Sequence, residues 1–231
     1  KMLHFPVLLE ESVDFLLKDL NGNYIDCTFG RGGHSKLILK KLSKKGSLTS
    51  MDKDPDAYKY ASKFKDKNFK TINDSFKNLD QYFDEQSIDG ILYDLGTCST
   101  HLDQAERGFS LNKDGPLDMR FDNKQGFPLS EWLHNASEEQ IKEILYTYGD
   151  EKHAKLISKA IFKSKMKNKI ITTTQLSNII RDTYPEKFKK IHPATKSFQA
   201  FRIFLNNELE ELKESLNAAE KILKQGGVIV T

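Results

Sequence analysis

The apolar positions of this 231-residue chain follow two different patterns. In the first hundred residues, short apolar runs alternate with stretches whose apolar residues step by three and four. The runs read as buried strands and the stepped stretches as amphipathic helices. Strands are predicted over residues 24–29, 47–51, 69–72 and 89–95. Helical stripes lie between them. Leu9, Val13, Leu16, Leu17 and Leu20 precede the first strand, after an extended entry at His4-Phe5-Pro6-Val7. Leu37, Ile38 and Leu42 follow the first strand, and Ala57, Tyr60, Ala61 and Phe64 follow the second. Strand and helix in alternation imply an α/β fold, a Rossmann-like parallel sheet with helices on both faces.

The alternation stops after residue 95. Residues 95–122 are rich in Gly, Asp, Ser and Pro. A loop this long inside a compact domain is usually functional or disordered, and Phe109, Leu117 and Met119 argue for order. Helices dominate from there. Ser137-Glu138-Glu139-Gln140 and Thr172-Thr173-Thr174-Gln175 have capping-box form, heading helices over 141–148 and 176–184 that stop at Gly149 and Pro185. Ala154, Leu156, Ile157, Ala160 and Ile161 carry another. Phe198, Phe201, Leu205, Leu209, Leu212, Leu216, Ala219 and Leu223 predict one long helix, ended by Gly226-Gly227, with a fifth strand over 228–231. A strand at the last residue, without a polar tail, suggests a truncated chain. The domain reading is a discontinuous sheet domain, 1–103 plus 206–231, and an inserted all-helical lobe, 104–205.

Chemistry concentrates where the predicted strands end. Asp26-Cys27-Thr28-Phe29-Gly30-Arg31-Gly32-Gly33-His34-Ser35 reads as strand, glycine turn and helix start. Glycines admit a ligand that a Cβ would block, and a helix N-terminus offers free N–H groups. Asp52, nineteen residues beyond Gly33, ends the second strand, where an acid can accept both ribose hydroxyls of an adenosine group. The dinucleotide pattern G-x-G-x-x-G fails at Ser35, and no G-K-[ST] phosphate loop is present. S-adenosylmethionine is the common adenosine ligand that needs no pyrophosphate seat. The turn alone leaves a dehydrogenase open. Phe76 can cover an adenine or simply pack in the core. Gly30, Asp52, Phe76 and Asp94 all fall at carboxyl ends of strands, where such sheets bind ligands.

Composition narrows the reading. Cys27 and Cys98 form no C-x-x-C, which fits a reduced, cytoplasmic protein, and no clustered ligand set is present, so no metal is expected. No run is long enough to span a membrane, and the first residues show no signal-peptide pattern. The net charge is +3, yet residues 152–196 hold eleven Lys, one Arg and two acids. That asymmetry fits a polyanionic partner; a solvated lysine-rich face gives the same count. Arg31, Arg107 and Arg120 sit in glycine-bearing stretches, where a planar fork suits phosphate or carboxylate.

Longer blocks carry a resemblance. They are His4-x-Pro6-Val7-Leu8-Leu9, Asp26-x-Thr28-x-Gly30-x-Gly32-Gly33-His34-Ser35, Asp52-x-Asp54 and Asp94-Leu95-Gly96. Arg107-Gly108-Phe109-Ser110, Asp114-Gly115-Pro116-Leu117-Asp118-Met119-Arg120 and His192-Pro193-Ala194-Thr195 follow, with Phe198-Gln199-Ala200-x-Arg202-Ile203, Asn206 and Glu208-Leu209. Together they resemble the bacterial small-subunit (16S) ribosomal RNA cytosine-N4 methyltransferases. The resemblance implies a class I methyltransferase sheet, S-adenosyl-L-methionine as cofactor, and a helical insertion facing the RNA. It places cofactor contacts on Gly32, Gly33, His34, Asp52, Phe76 and Asp94, and a further one on His101, where the family has Gln. Cys98 and Thr100 replace a family Ser and Pro, Lys196 stands for an Arg, and the family's block after the fifth strand is missing from this sequence.

The expected reaction is methyl transfer to the N4 amine of a cytidine in small-subunit ribosomal RNA. Asp94 and Ser99 are the catalytic candidates: an acceptor for the N4 proton and a group orienting the base. Arg107, Phe109, Asp118 and Arg120 are the substrate-binding candidates, in the loop expected to wall the base pocket. The expected partner is the RNA in an assembled or nearly assembled subunit, and a homodimer stays open. A non-catalytic RNA-binding assembly factor and a nucleotide-dependent oxidoreductase are the competing functions.

Overall fold

A computed structural model describes residues 8–184 and 191–231. His4, Phe5, Pro6, Val7 and Pro185 lie outside the described residues, as do Lys187, Lys189 and Lys190. The elements run α1 (Leu9–Leu16), β1 (Asn23–Asp26), α2 (Gly33–Lys41), β2 (Ser47–Met51), α3 (Pro55–Ala61), β3 (Phe69–Ile72), β4 (Ile88–Leu92) and α4 (Ser99–Asp103). Then come α5 (Leu129–Asn135), α6 (Glu138–Gly149), α7 (Ala154–Lys165), α8 (Thr173–Arg181), α9 (Thr195–Leu205), α10 (Glu208–Ile222) and β5 (Leu223–Val230). The chain divides into two compact units, Lys1–Ser99 with Leu209–Thr231, and Thr100–Glu208.

The first unit is a parallel sheet in the order β3-β2-β1-β4-β5. Side chains alternate across it, as strand geometry requires. Tyr24 joins Val13, Leu16 and Ile38 on one face; Ile25 joins Ile91, Ala219 and Ile222 on the other. Both faces are covered, and the residues of β1, β2 and β4 are mostly buried. The order reverses at β1, with β2 on one side and β4 on the other. A crevice beyond the carboxyl ends of β1 and β4 follows from that reversal.

Several expected boundaries move, each for a local reason. The β1 ladder stops at Asp26 rather than 29, because the Asp26 side chain takes the Thr28 N–H and starts the turn. α1 ends at Leu16, and Leu20 is left exposed. Gly149 is the last residue of α6, and the left-handed stop is Asp150 (φ 45°). A Cβ on Gly149 would come within 2.9 Å of the Lys196 carbonyl, so this glycine permits close approach of α6 and α9. Gly226-Gly227 lie inside β5, at a register irregularity opposite Ile88 and Gly90. Both capping boxes form, at Ser137 with Gln140 and at Thr172 with Gln175.

The single helix expected over 198–223 is two, α9 and α10. Asn206 is buried at the break. Its Oδ1 accepts from the Phe121 N–H at 2.7 Å, and its Nδ2 donates to the Met119 and Arg202 carbonyls at 2.9 and 3.0 Å. Asn207 takes a left-handed φ of 53°. Arg202 then spans the gap to Glu208, Nε to Oε1 at 2.8 Å. Apolar stepping continues on both sides, so periodicity cannot register an amide drawn to a loop 85 positions earlier.

Replacing Asn206 with Ala removes three hydrogen bonds from a buried junction. The expected loss is about 2–3 kcal/mol of unfolding free energy, seen as a lower urea midpoint at unchanged m-value.

Candidate functional site

The site is built outward from the end of β1. Asp26 is 1% exposed. Its Oδ1 accepts the Thr28 N–H at 3.1 Å, and its Oδ2 accepts the Ser35 hydroxyl at 2.6 Å. One carboxylate thus ties the start of the glycine turn to the first turn of α2. Burial raises the Asp26 pKa, the bonds from Ser35 and Thr28 and the nearby His34 oppose that rise, and the Asp94 charge adds to it. Gly32 sits before α2 at φ 72°, and a Cβ there would lie 2.7 Å from the Phe29 ring. A side chain at position 32 is therefore excluded twice, by backbone conformation and by space. Ser35, where a dinucleotide site would have its third glycine, is fully buried with its hydroxyl on Asp26.

The neighbouring strand ends join this turn. Asp52 Oδ2 accepts the Gly30 N–H at 3.0 Å, and Oδ1 accepts the Asp54 N–H at 2.9 Å. Both Asp52 oxygens thus accept backbone N–H groups, one from the glycine turn and one from the loop after β2. The Asp94 N–H donates to Thr28 Oγ1 at 2.6 Å, and its carboxylate lies 3.6 Å from His34 Nδ1. The Asp94 side chain is 56% exposed, unlike buried Asp26. Phe76 is half-buried and meets Tyr93 edge-on at 5.7 Å. Gly96, two residues past Asp94, has φ 132° and open space where a Cβ would stand. Gly30, Gly32, Gly33, His34, Asp52, Phe76 and Asp94 therefore all belong to this unit, at the carboxyl ends of β1, β2, β3 and β4 or just after them. Asp26, Thr28 and Ser35 were not singled out as site residues; the D-x-T spacing before the glycines was the signal available.

This arrangement suits an adenosylated sulfonium. It offers a carboxylate beside a glycine turn for a diol, a half-buried aromatic ring for a flat base, and an exposed carboxylate for positive charge. Arg31, expected to meet phosphate or carboxylate, lies over the Tyr60 ring at 5.2 Å.

Apart from Ser99, the last residue before the boundary, the second unit holds the remaining candidates. His101 is buried, its ring 4.8 Å from Phe109 and 5.0 Å from Phe121. Phe109 stacks on Phe121 at 5.3 Å. Arg107 is buried; its Nη2 donates to the Phe121 and Arg120 carbonyls at 2.8 and 3.3 Å. Arg120 pairs with Asp118 through two 2.7 Å bonds and also donates to the Gln125 and Gly126 carbonyls. These groups form one internal framework, as buried guanidinium and carboxylate groups must. Ser99 opens α4. Lys196, at a family Arg position, donates to the Asp150 carbonyl at 3.0 Å. Lys152, Lys155, Lys159, Lys163, Lys167 and Lys169 are exposed. Among the described residues, no helix is long and apolar enough to cross a membrane.

Comparison with known proteins adds three findings. A model described as the MraW methylase family matches residues 1–231. Ribosomal RNA small subunit methyltransferase H of Buchnera aphidicola subsp. Acyrthosiphon pisum (strain Tuc7) is 45% identical over 230 residues, covering 98% of this chain and 74% of that protein. Its counterpart in strain APS is 44% identical over the same extent. A solved rRNA methylase structure from Streptococcus thermophilus is 21% identical over 60% of this chain and 84% of its own, at a TM-score of 0.32, too low to add to the sheet order above.

The buried Asp26 sets a pH dependence. Its raised pKa means that the folded chain keeps this proton to higher pH than the unfolded chain, where a carboxyl titrates near ~3.9. Stability from this group is therefore greatest at low pH and declines as pH rises through the folded value. Asp26→Asn cannot titrate. The unfolding free energy of wild type minus that of Asp26→Asn should fall as pH rises above about 4; a flat or rising difference contradicts the assignment.

Proposed function

The chain belongs to the MraW methylase family, and from that premise we propose that it methylates N4 of a cytidine in small-subunit ribosomal RNA, using S-adenosylmethionine. The observation that carries this reading is the knot at the β1–β4 crevice, where Asp26, Thr28, Asp94 and the glycine turn are bonded together beside Asp52. The 45% identity to a small-subunit ribosomal RNA methyltransferase supports the substrate class.

S-adenosylmethionine, when bound, supplies a methyl group already activated by its sulfonium charge. The chain's task is to align that methyl group with the acceptor nitrogen and exclude water. Asp52 would accept the ribose hydroxyls, Phe76 would lie against the adenine, and Gly32, Gly33 and His34 would hold the cofactor at the turn between β1 and α2. Asp94, exposed and just past the end of β4, would meet the positive end of the cofactor. Cytosine N4 is a poor nucleophile, because its lone pair is delocalised into the ring. A carboxylate accepting its proton helps to localise that pair, and Asp94 is assigned this acceptor role with Ser99 orienting the base. The base must leave its stack to be reached. The family resemblance assigns His101 a hydrogen bond to the cofactor. Arg107, Phe109, Asp118 and Arg120 act through the rigid shape of the loop that they hold, more than as free charges. The exposed lysines of α7 and the residues flanking it contact RNA phosphates, with a steep salt dependence. The substrate is the assembled or nearly assembled subunit, and the setting is the cytoplasm. A homodimer is compatible with this reading and is not required by it.

Incubating the protein with labelled S-adenosylmethionine and small-subunit particles, followed by nucleoside mass spectrometry, should yield N4-methylcytidine. RNA binding without methylation would favour an assembly factor instead. Asp94→Ala should lower kcat/KM by about 100-fold; unchanged transfer removes Asp94 from the site. Asp52→Ala should weaken cofactor affinity about tenfold or more, equivalent to about 1.4 kcal/mol, measured by calorimetry, and unaltered affinity refutes the ribose assignment.

A further inference from the structure

Helix α10 carries two buried polar side chains that the mechanism does not use, Glu211 and Ser215. Their four-residue spacing puts them one above the other on the same face. Glu211 Oε2 accepts two bonds, from Lys53 Nζ at 2.8 Å and from the Ser75 hydroxyl at 2.9 Å. The Ser215 hydroxyl shares a 2.6 Å bond with the Tyr93 hydroxyl.

The three partners have one property in common. Lys53 follows Asp52, Ser75 precedes Phe76, and Tyr93 precedes Asp94. Each is the immediate chain neighbour of a residue assigned to the cofactor. Tyr93 is linked to the site a second time, since its ring stands edge-on to Phe76 at 5.7 Å and 85°. The end of β2 is also tied to the residue that follows β3, because Asn73 Nδ2 donates to the Asp52 carbonyl at 2.8 Å. The ends of β2, β3 and β4 are thus fastened to one helix face, by residues between 122 and 158 positions away in sequence.

Stability alone is a poor account of the Glu211–Lys53 pair. Both side chains are largely removed from water, and apolar residues of similar size commonly serve stability as well as a buried ion pair does. What an ion pair and two short hydroxyl bonds add is a defined distance. A short sequence separation could not provide it, because the three strand ends come from three separate crossovers.

We infer that α10 is the positioning element of the cofactor site. Glu211 sets the separation of Asp52 from Phe76, and Ser215, through Tyr93, sets Phe76 and Asp94. This rests on the reading of those three residues as cofactor contacts. Glu211 and Ser215 are positioning residues; neither is assigned contact with the cofactor or the RNA.

The test is titration of S-adenosylhomocysteine and of 5′-methylthioadenosine into the full chain by calorimetry, alongside steady-state methylation. The variants are Glu211→Gln, Glu211→Ala and Ser215→Ala, each with its melting temperature measured. Glu211→Ala should weaken both ligands by about tenfold, the size expected for losing a hydrogen bond to a charged group. Equal losses for the two ligands place the defect at the adenosine end. Glu211→Gln, which keeps an acceptor, should recover part of that loss. The KM for S-adenosylmethionine should rise while the KM for RNA stays near wild type, a split that general destabilisation does not produce. Ser215→Ala removes only a hydroxyl and serves if the Glu211 variants do not fold; it should weaken both ligands by about threefold. Folded variants with wild-type affinity for both ligands overturn the inference and leave the cofactor reading standing. A wild-type protein that binds neither ligand overturns the cofactor reading, and this inference with it.

Discussion

A carboxylate buried at the centre of the sheet is the constraint on which the site depends. Asp26 is removed from water, and an isolated charge there would be costly. It is tolerable because its two oxygens take the Thr28 N–H and the Ser35 hydroxyl. Those same two bonds close the glycine turn. Thr28 then passes the connection on, since its hydroxyl accepts the Asp94 N–H from the next strand. The cost of burying one group is thereby offset by bonds that also bring the β1 and β4 ends into register. Gly32 completes the turn because only a residue without Cβ fits against Phe29 at that φ.

The two acids on the open side have a different character. Asp52 meets backbone N–H groups of the turn and of its own loop. Asp94 leaves most of its side chain exposed. Three carboxylates lie within one crevice, yet only Asp26 is sealed. Sealing suits a group that holds backbone in place, and exposure suits groups that meet a ligand. In the second unit, Arg107 and Arg120 carry charges suited to RNA but direct them at their own loop, Arg120 through Asp118. Charge in a glycine-bearing stretch signals either ligand contact or loop architecture, and the carbonyl partners of Arg107 and Arg120 identify the second.

Much of the sheet was readable from the residues. Strands at 47–51 and 69–72 match β2 and β3 to the residue, because each sets its few apolar side chains in a short segment bounded by polar turns. Both capping boxes were legible, since Ser137 with Gln140 and Thr172 with Gln175 complete their bonds within four residues. The positions of Asp52 and Asp94 at strand ends followed from the same local patterns.

Features that depend on distant partners were not legible. The break between α9 and α10 depends on Asn206 reaching Phe121 and Met119. The burial of Arg107 depends on carbonyls 13 and 14 residues downstream. The place of Glu211 among the strand ends depends on Lys53, 158 residues before it. Hydrophobic period and capping are properties of neighbours along the chain, so the linear order of residues carries them. Hydrogen bonds between remote side chains are absent from that order, and they arise only once the folded chain has brought their partners together.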